Sequence, residues 1–226
     1  MTLAIASCII VGYLCGSIST GYLVGRLHHF DIRNYGSGNA GATNASRTLG
    51  KKAGFLVLIC DLLKVLIPAS IVHYVIFAGE DYSTLLCMIT GFAGVLGHNY
   101  PVWLGFKGGK GISSTGGAMI ATDSWFALGI PVFVLIVATT KYVSLGSMFV
   151  VILYPIVIGI TRFGDPYYVP MLVTACLFTA SGVFTHRKNI VRLLNGTERK
   201  FGQRVEVPAE TAVAEAVIDS EKETQS

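Results

Sequence analysis

The chain has 226 residues, 52% of them hydrophobic and only 13% charged, with a mean hydropathy of +0.62. That balance excludes an ordinary soluble domain and reads as an integral membrane protein. A formal net charge of +4, dispersed along the chain, gives no case for nucleic acid. Cys8, Cys15, Cys60, Cys87 and Cys176 stand singly in apolar stretches with no C-x-x-C pair, so neither a disulfide framework nor a zinc site is indicated.

Apolar runs occur near residues 3–25, 54–78, 84–97, 112–122, 125–139, 143–161 and 167–184. The first lacks a basic stretch before it and a small-residue cleavage site after it, so it is predicted to stay as an anchor. A crossing needs roughly 20 residues; the three shorter runs need tilt, neighbouring motif residues or shielding inside a bundle to cross. The connections decide the count, because Lys and Arg in short loops stay on the cytoplasmic side. Residues 26–53 carry five basic residues against Asp31, the next connection carries Glu80 and Asp81, and the one after it Lys107 and Lys110. Asp123, then Lys141, then the mixed Arg162 and Asp165 follow, and a basic stretch lies beyond residue 184. This alternation predicts an all-α integral membrane protein of about seven transmembrane helices, N-terminus outside and C-terminus cytoplasmic. A single helix over 112–139 would put the basic C-terminal stretch outside, which places a break at 122–124. Residues 1–204 read as one membrane-embedded domain and 205–226, rich in Glu, as an acidic disordered tail.

Polar residues gather in three places that this topology puts on one cytoplasmic face. The first, "DIRNYGSGNAGATNASRTLGKKAG", contains Gly36-Ser-Gly-Asn-Ala-Gly41, a G-x-G-x-x-G. A dinucleotide fingerprint also needs a buried strand before it, a crossover helix after it and an acid about 20 residues on. None is present, so the nucleotide reading is set aside. Glycines still let the backbone approach an anion and expose its N–H groups. A helix starting near Asn39 would align Asn39, Thr43 and Arg47 on one face, where Arg47 clamps a phosphate and Ser37 and Thr43 donate single hydrogen bonds. The bland alternative is a capped turn between two membrane helices.

The second, "GHNYPVWLGFKGGKGISSTGG", is no Walker A, since Lys110 is followed by Gly111 and Leu104 stands where the first glycine belongs. Gly108, Gly109 and Gly111 around Lys110, with Lys107 nearby, make a second cationic backbone cradle. His98 precedes it, either as an acid or base or as a structural hydrogen-bonding group at a helix end. In the third, "THRKNIVRLLNGTERKFG", a helix would place His186, Asn189 and Leu193 on one face. An amphipathic helix lying on anionic lipid accounts for Arg187, Lys188 and Arg192 equally well, but less well for His186 and Asn189. Asp61 and Lys64, three apart in an apolar run, are predicted to pair.

"GSGNAGATNASRTLG", "GHNYPVWLGFKGGKG" and "HRKNIVRLLNGTE", with "DLLK" at 61–64, resemble the motifs of the bacterial acyl-phosphate:glycerol-3-phosphate acyltransferases, the PlsY family. The resemblance covers most of residues 3–202; it departs at Val65, where a glycine is common, and at Ser113-Ser114. It implies a multi-pass enzyme of the bacterial inner membrane that moves a fatty acyl group from acyl phosphate to the 1-hydroxyl of glycerol 3-phosphate, releasing lysophosphatidic acid and inorganic phosphate. Its partners are then acyl phosphate, glycerol 3-phosphate and membrane lipid, with no nucleic acid and no cofactor or metal. The common glycerolipid acyltransferases pair a His with an Asp five residues on. Here the fifth residue after each histidine is Arg33, Asn34, Ala78, Trp103 or Val191.

No Ser-His-Asp or Cys-His set is evident, so a covalent acyl-enzyme is not expected. On this reading Ser37, Thr43, Arg47 and Lys110 hold phosphates, with Asn44 and the cradle residues Lys107, Gly108, Gly109 and Gly111 as further substrate contacts. Backbone N–H groups from Gly38 to Gly41 neutralise developing charge, and His186 and Asn189 orient glycerol 3-phosphate. The proton acceptor is a substrate phosphate, His98 or His186. A phosphate or organophosphate transporter and a lipid-binding scaffold are the rival classes; a transporter would place polar groups at mid-membrane and often show repeats.

Overall fold

In the computed structural model, which describes residues 1–203 and 205, every regular element is helical. In chain order these are α1 (Thr2–Gly16), α2 (Thr20–Leu27), α3 (Ala42–Thr48), α4 (Lys51–Ile71), α5 (Ser83–Asn99), α6 (Ile112–Thr122), α7 (Gly129–Thr140), α8 (Val143–Thr161) and α9 (Tyr168–Leu194). All seven apolar runs are thus helical. Five stretches among the described residues are long and apolar enough to cross a membrane: Thr2–Leu27, Lys51–Ile76, Ser83–Leu104, Val143–Thr161 and Tyr168–Leu194. α6 and the helical stretch Ser124–Thr140 are shorter. The break expected at 122–124 exists: Asp123 is extended, and its carboxylate accepts from the Trp125 N–H at 3.0 Å to start a new turn. The acidic stretch from residue 205 lies, but for Val205 itself, outside the described residues.

α5 is the axis of the bundle, with 72% of its apolar window buried against 22–33% for the other long helices. Lipid tails are as apolar as leucine, so helices in a membrane associate through close packing more than through the hydrophobic effect. Small residues supply that closeness. A Cβ at Gly16 would lie 2.0 Å from the Gly94 carbonyl oxygen, and one at Gly12 would lie 2.2 Å from that of Thr90, so α1 meets α5 backbone to backbone. A larger side chain at Gly16 would separate the pair, with an overpacking cost of about 1–3 kcal/mol. Where α6, α8 and α9 converge, Tyr154 stacks edge-on against Phe126 and Phe178 at 5.1 and 5.2 Å. Its buried hydroxyl finds Thr122 Oγ1 at 3.0 Å.

A second, smaller core lies under the polar loops, built of Val24, Phe30, Ile32, Ala40, Ala45 and Val57. It anchors residues 28–50 on α2 and α4. α4 contains Pro68, which cannot donate to the carbonyl four residues back, that of Lys64, and the helix loosens into a π-turn over Val72–Ile76.

Candidate active site

The structure brings the three polar stretches to one end of the bundle around a cavity of about 900 Å³. The first loop enters through Asp31, which caps a short turn and grips the Arg33 guanidinium at 2.6–3.0 Å. The free end of that guanidinium crosses to the second loop, donating to the carbonyls of Leu104 at 3.2 Å and Lys107 at 3.4 Å. Asn44, fully buried, is the clamp of the first loop. Its Oδ1 accepts from Ser37 N at 2.8 Å and Ser37 Oγ at 3.1 Å, while its Nδ2 donates to the carbonyls of Ile32 and Tyr35 at 3.0 and 3.1 Å. An amide has two donors and two lone pairs, so Asn44 is saturated.

Four expectations change here. Asn44 holds the loop and has no hydrogen bond left for a substrate. The helix begins at Ala42, not near Asn39, whose Oδ1 instead accepts from Gly41 N at 3.0 Å; Thr43 and Arg47 do share a face of α3. The N–H groups of Gly38 and Gly41 are spent inside the loop, Gly38 on the Tyr35 carbonyl at 3.0 Å, so they cannot neutralise charge on a ligand. Ser37 likewise directs its hydroxyl proton at Asn44, which leaves its oxygen as an acceptor. Gly36 and Gly38 have φ of +63° and +70°, which only glycine adopts freely.

Arg47 projects from α3 into the cavity, and its Nη2 reaches the Arg199 carbonyl at 3.4 Å. Its buried Nε finds no hydrogen-bond partner among the described residues. Burial and the neighbouring Arg199 charge pull its proton affinity below the ordinary arginine value, yet a guanidinium stays charged.

The second loop folds back on the end of α5: Gly108 N donates to the Asn99 carbonyl at 3.1 Å and Gly109 N to that of His98 at 3.0 Å. Lys107, Gly108 and Gly109 therefore stand behind the cavity wall, as does Gly38, while Lys110 and Gly111 line it. Lys110 bonds the Asn189 side-chain oxygen, and Asn189 Nδ2 passes the network to Glu198 Oε1 at 2.6 Å. Glu198 also takes Ser144 Oγ at 2.9 Å and Arg192 Nε at 2.8 Å. Burial raises the Glu198 affinity for its proton, but these three donors and the Arg192 charge outweigh it and hold the carboxyl below its ordinary range. Burial pulls Lys110 down to about 8 against the opposing pull of Glu198. Glu198 was not singled out in the sequence, although it is the one acid between residues 185 and 204.

His186 and Asn189 are buried on one face of α9, which runs unbroken from the membrane span to Leu194. The separate helix lying on lipid is thereby corrected: both side chains turn inward on the last turns of a spanning helix, and Arg187 folds over Phe184 outside. His186 Nδ1 lies 2.8 Å from the Gly182 carbonyl. A carbonyl only accepts, so the proton sits on Nδ1 and Nε2 is left as an acceptor. Beyond Gly196 the chain crosses the cavity mouth. Arg199 donates to the Gly36 carbonyl at 2.6 Å, Phe201 N to that of Lys141 at 2.6 Å, and Val205 N to that of Arg47 at 3.1 Å.

Asp61 and Lys64 pair at 2.8 Å as expected, buried beside His98. Part of the lining is apolar: Phe55 and Leu58 of α4 and Phe133, Val134 and Val137 of α7. Phe55 and Val134 are also exposed on the outer surface of the bundle, so the wall continues outward. Among the described residues no three His, Cys, Asp or Glu side chains gather as a metal site.

A cavity lined both by cationic, glycine-rich loops and by apolar side chains suits an amphiphilic phosphate-bearing ligand. A family model described as "Glycerol-3-phosphate acyltransferase" matches residues 6–196. The glycerol-3-phosphate acyltransferase of Clostridioides difficile strain 630 is 43% identical over 211 residues, spanning 87% of this chain and 95% of the relative. That of Trichlorobacter lovleyi is 40% identical over 190 residues, spanning 84% and 93%. The crystal structure of PlsY (YgiH), an integral membrane glycerol 3-phosphate acyltransferase, in its glycerol 3-phosphate form is 40% identical, with a TM-score of 0.77 over 88% of this chain and 96% of that one. Its lysophosphatidic acid form gives 39% and 0.73. Motifs, fold and relatives agree, and the chain belongs to the glycerol-3-phosphate acyltransferase family.

Proposed function

We propose that the enzyme transfers a fatty acyl group from acyl phosphate to the 1-hydroxyl of glycerol 3-phosphate, releasing lysophosphatidic acid and inorganic phosphate. The observation that carries this reading is the cavity itself, whose lining combines the guanidinium of Arg47, with an Nε that has no hydrogen-bond partner among the described residues, and the ammonium of Lys110 with the apolar side chains of Phe55, Leu58, Phe133 and Val137. A phosphate of either substrate suits the cations, and an acyl chain suits the apolar lining. Acyl phosphate is already activated, so positioning and charge stabilisation supply the rate and no covalent acyl-enzyme is needed.

On this reading Arg47 and Lys110 bear phosphate charge, with Thr43 adding a hydroxyl donor. Asn189 aims Lys110, and Ser37 Oγ accepts from the substrate hydroxyl. The attacking hydroxyl loses its proton to an acceptor in the cavity, a substrate phosphate oxygen or His186 Nε2. Asn39, Gly41 and Gly111 shape the pocket, with Gly38, Lys107, Gly108 and Gly109 supporting it from behind. The bundle crosses a bacterial inner membrane seven times, with the N-terminus outside and the cavity on the cytoplasmic face. Two features support that topology: the alternation of basic connections, and the helical form of all seven apolar runs.

Purified protein in detergent should release inorganic phosphate from synthetic acyl phosphate only when glycerol 3-phosphate is added, with lysophosphatidic acid formed in equal amount. Folded protein that shows no stimulation by the acceptor sinks the reading. Equilibrium transport of phosphate by reconstituted protein without acyl transfer would favour the transporter class.

A further inference from the structure

Arg47, Arg192 and Arg199 line the cavity. An arginine that only holds a fold together spends its planar fork on a carboxylate and on carbonyls, as Arg33 does on Asp31 and the second loop. Arg192 follows that pattern, with its Nε on Glu198 at 2.8 Å. Arg47 and Arg199 do not: neither forms an ion pair among the described residues. The acid between them in the lining, Glu198, is already taken by Ser144, Asn189 and Arg192.

Yet the two guanidinium-bearing residues sit together. Arg47 Nη2 reaches the Arg199 carbonyl at 3.4 Å, and the Arg199 charge lowers the proton affinity of Arg47. Like charges side by side repel, so the pair costs free energy until an anion joins it. Both have donors to spare. Arg199 places Nη1 on the Gly36 carbonyl at 2.6 Å, and Arg47 Nε has no partner. A guanidinium carries five N–H donors, so most of them are uncommitted by the protein.

The backbone that carries Arg199 is held on both sides. Glu198 before it is buried among its three donors, and Phe201 N after it donates to the Lys141 carbonyl at 2.6 Å. Arg199 is thus in place before any ligand arrives, which spares the cost of ordering a loose segment on binding. It is exposed at the mouth, so a ligand in water reaches it. The family model matches residues 6–196, and Arg199 lies beyond that part.

We propose that Arg199 is a further substrate-binding residue, which together with Arg47 clasps one phosphate group. Paired guanidiniums present parallel N–H donors to the oxygens of a dianion, a geometry that a single ammonium does not offer. Glycerol 3-phosphate and acyl phosphate both carry such a group, and the clasp takes one of them. That a substrate brings the phosphate rests on the acyltransferase reading; that the pair binds phosphate does not.

The full-length protein in detergent tests this, with inorganic phosphate as the probe and the two substrates varied in turn. In calorimetric titration Arg199→Gln should weaken inorganic phosphate binding about fivefold, a modest factor because the group is exposed and screened by salt. In turnover, KM should rise by the same factor for the substrate whose phosphate is clasped, with kcat little changed, and Arg199→Lys should recover part of the loss. Lys200→Gln is the matched control. It removes the adjacent exposed charge, which does not line the cavity, and should leave phosphate binding and both KM values unchanged. Unchanged phosphate binding in Arg199→Gln overturns the clasp, as does an equal loss in Lys200→Gln, which would mark diffuse surface charge. A lower kcat and melting temperature with both KM values unchanged overturns it too, because Arg199 would then only tie residues 197–203 to Gly36. Phosphate binding that depends on Arg199 in a protein without acceptor-dependent turnover keeps the clasp and strikes the acyltransferase reading.

Discussion

The two glycine-rich loops do similar work and are built in opposite ways. The first is held by a side chain: Asn44 spends all four of its hydrogen bonds on residues 32–37, and an arginine, Arg47, supplies the charge. The second is held by backbone and by absent side chains. Gly108 and Gly109 donate to the carbonyls at the end of α5, the space a Cβ at Gly109 would need belongs to His98, and a lysine supplies the charge. The first loop therefore tolerates no change of its clamp, the second no addition of bulk, and only the second carries a charge that titrates near neutrality.

The largest effect should come from the charge of the first loop. Arg47→Ala should lower turnover about 10²–10³-fold, the range for removing a preorganised donor from a developing anion, with little change in thermal stability. An Arg47→Ala enzyme within a few-fold of wild type would leave the first loop a mere turn. Gly109→Ala comes next. Its Cβ displaces the His98 ring, and misplacement by an ångström costs up to about 10²-fold, read in kcat/KM for glycerol 3-phosphate. Gly116→Ala, on α6 with open space around the same position, is the matched control and should be neutral.

Asn44→Ala should act mainly on stability, by about 2–3 kcal/mol in a detergent melt, since it strands buried donors and acceptors of the first loop. If its melting temperature were unchanged, the contrast between the loops would collapse. The smallest effect is a pH dependence. Lys110 is a cation below about pH 8 and loses that charge as pH rises through it, so KM for glycerol 3-phosphate should climb above pH 8. Lys110→Arg should flatten the climb, because a guanidinium stays charged. The folded value lies below the ordinary 10.5, so between about pH 8 and 10.5 the unfolded chain binds more protons and Lys110 favours folding increasingly as pH rises.

Composition and loop charge were enough to read an all-helical membrane protein, and the break at Asp123 followed from charge alternation alone. The polar stretches also betrayed the site, because polar clusters between apolar helices need a reason to exist. What stayed hidden is what depends on which partner a polar atom chooses. Asn44 and Asn39 look alike in "GSGNAGATN", yet one spends all four of its hydrogen bonds on the loop and the other only its oxygen, on Gly41 N. Glu198 reads as one acid in a basic stretch, and only the fold shows Ser144, Asn189 and Arg192 converging on it. The contact of His98 with Lys64 joins positions 34 apart in the chain, and nothing in the local sequence of the histidine marks it.

The crossing of the cavity mouth by residues 197–203 has a consequence for how the enzyme comes into being. Synthesis delivers both glycine loops, and the helices between them, well before Asn189, Glu198 and Arg199. A nascent chain threaded into the bilayer as far as α8 holds Arg47 and Lys110 with none of the groups that aim and neutralise them. The cavity thus takes its final lining only when the last span is seated and the following residues have left the ribosome, so the order of translation makes the mouth the last part of the bundle to be built.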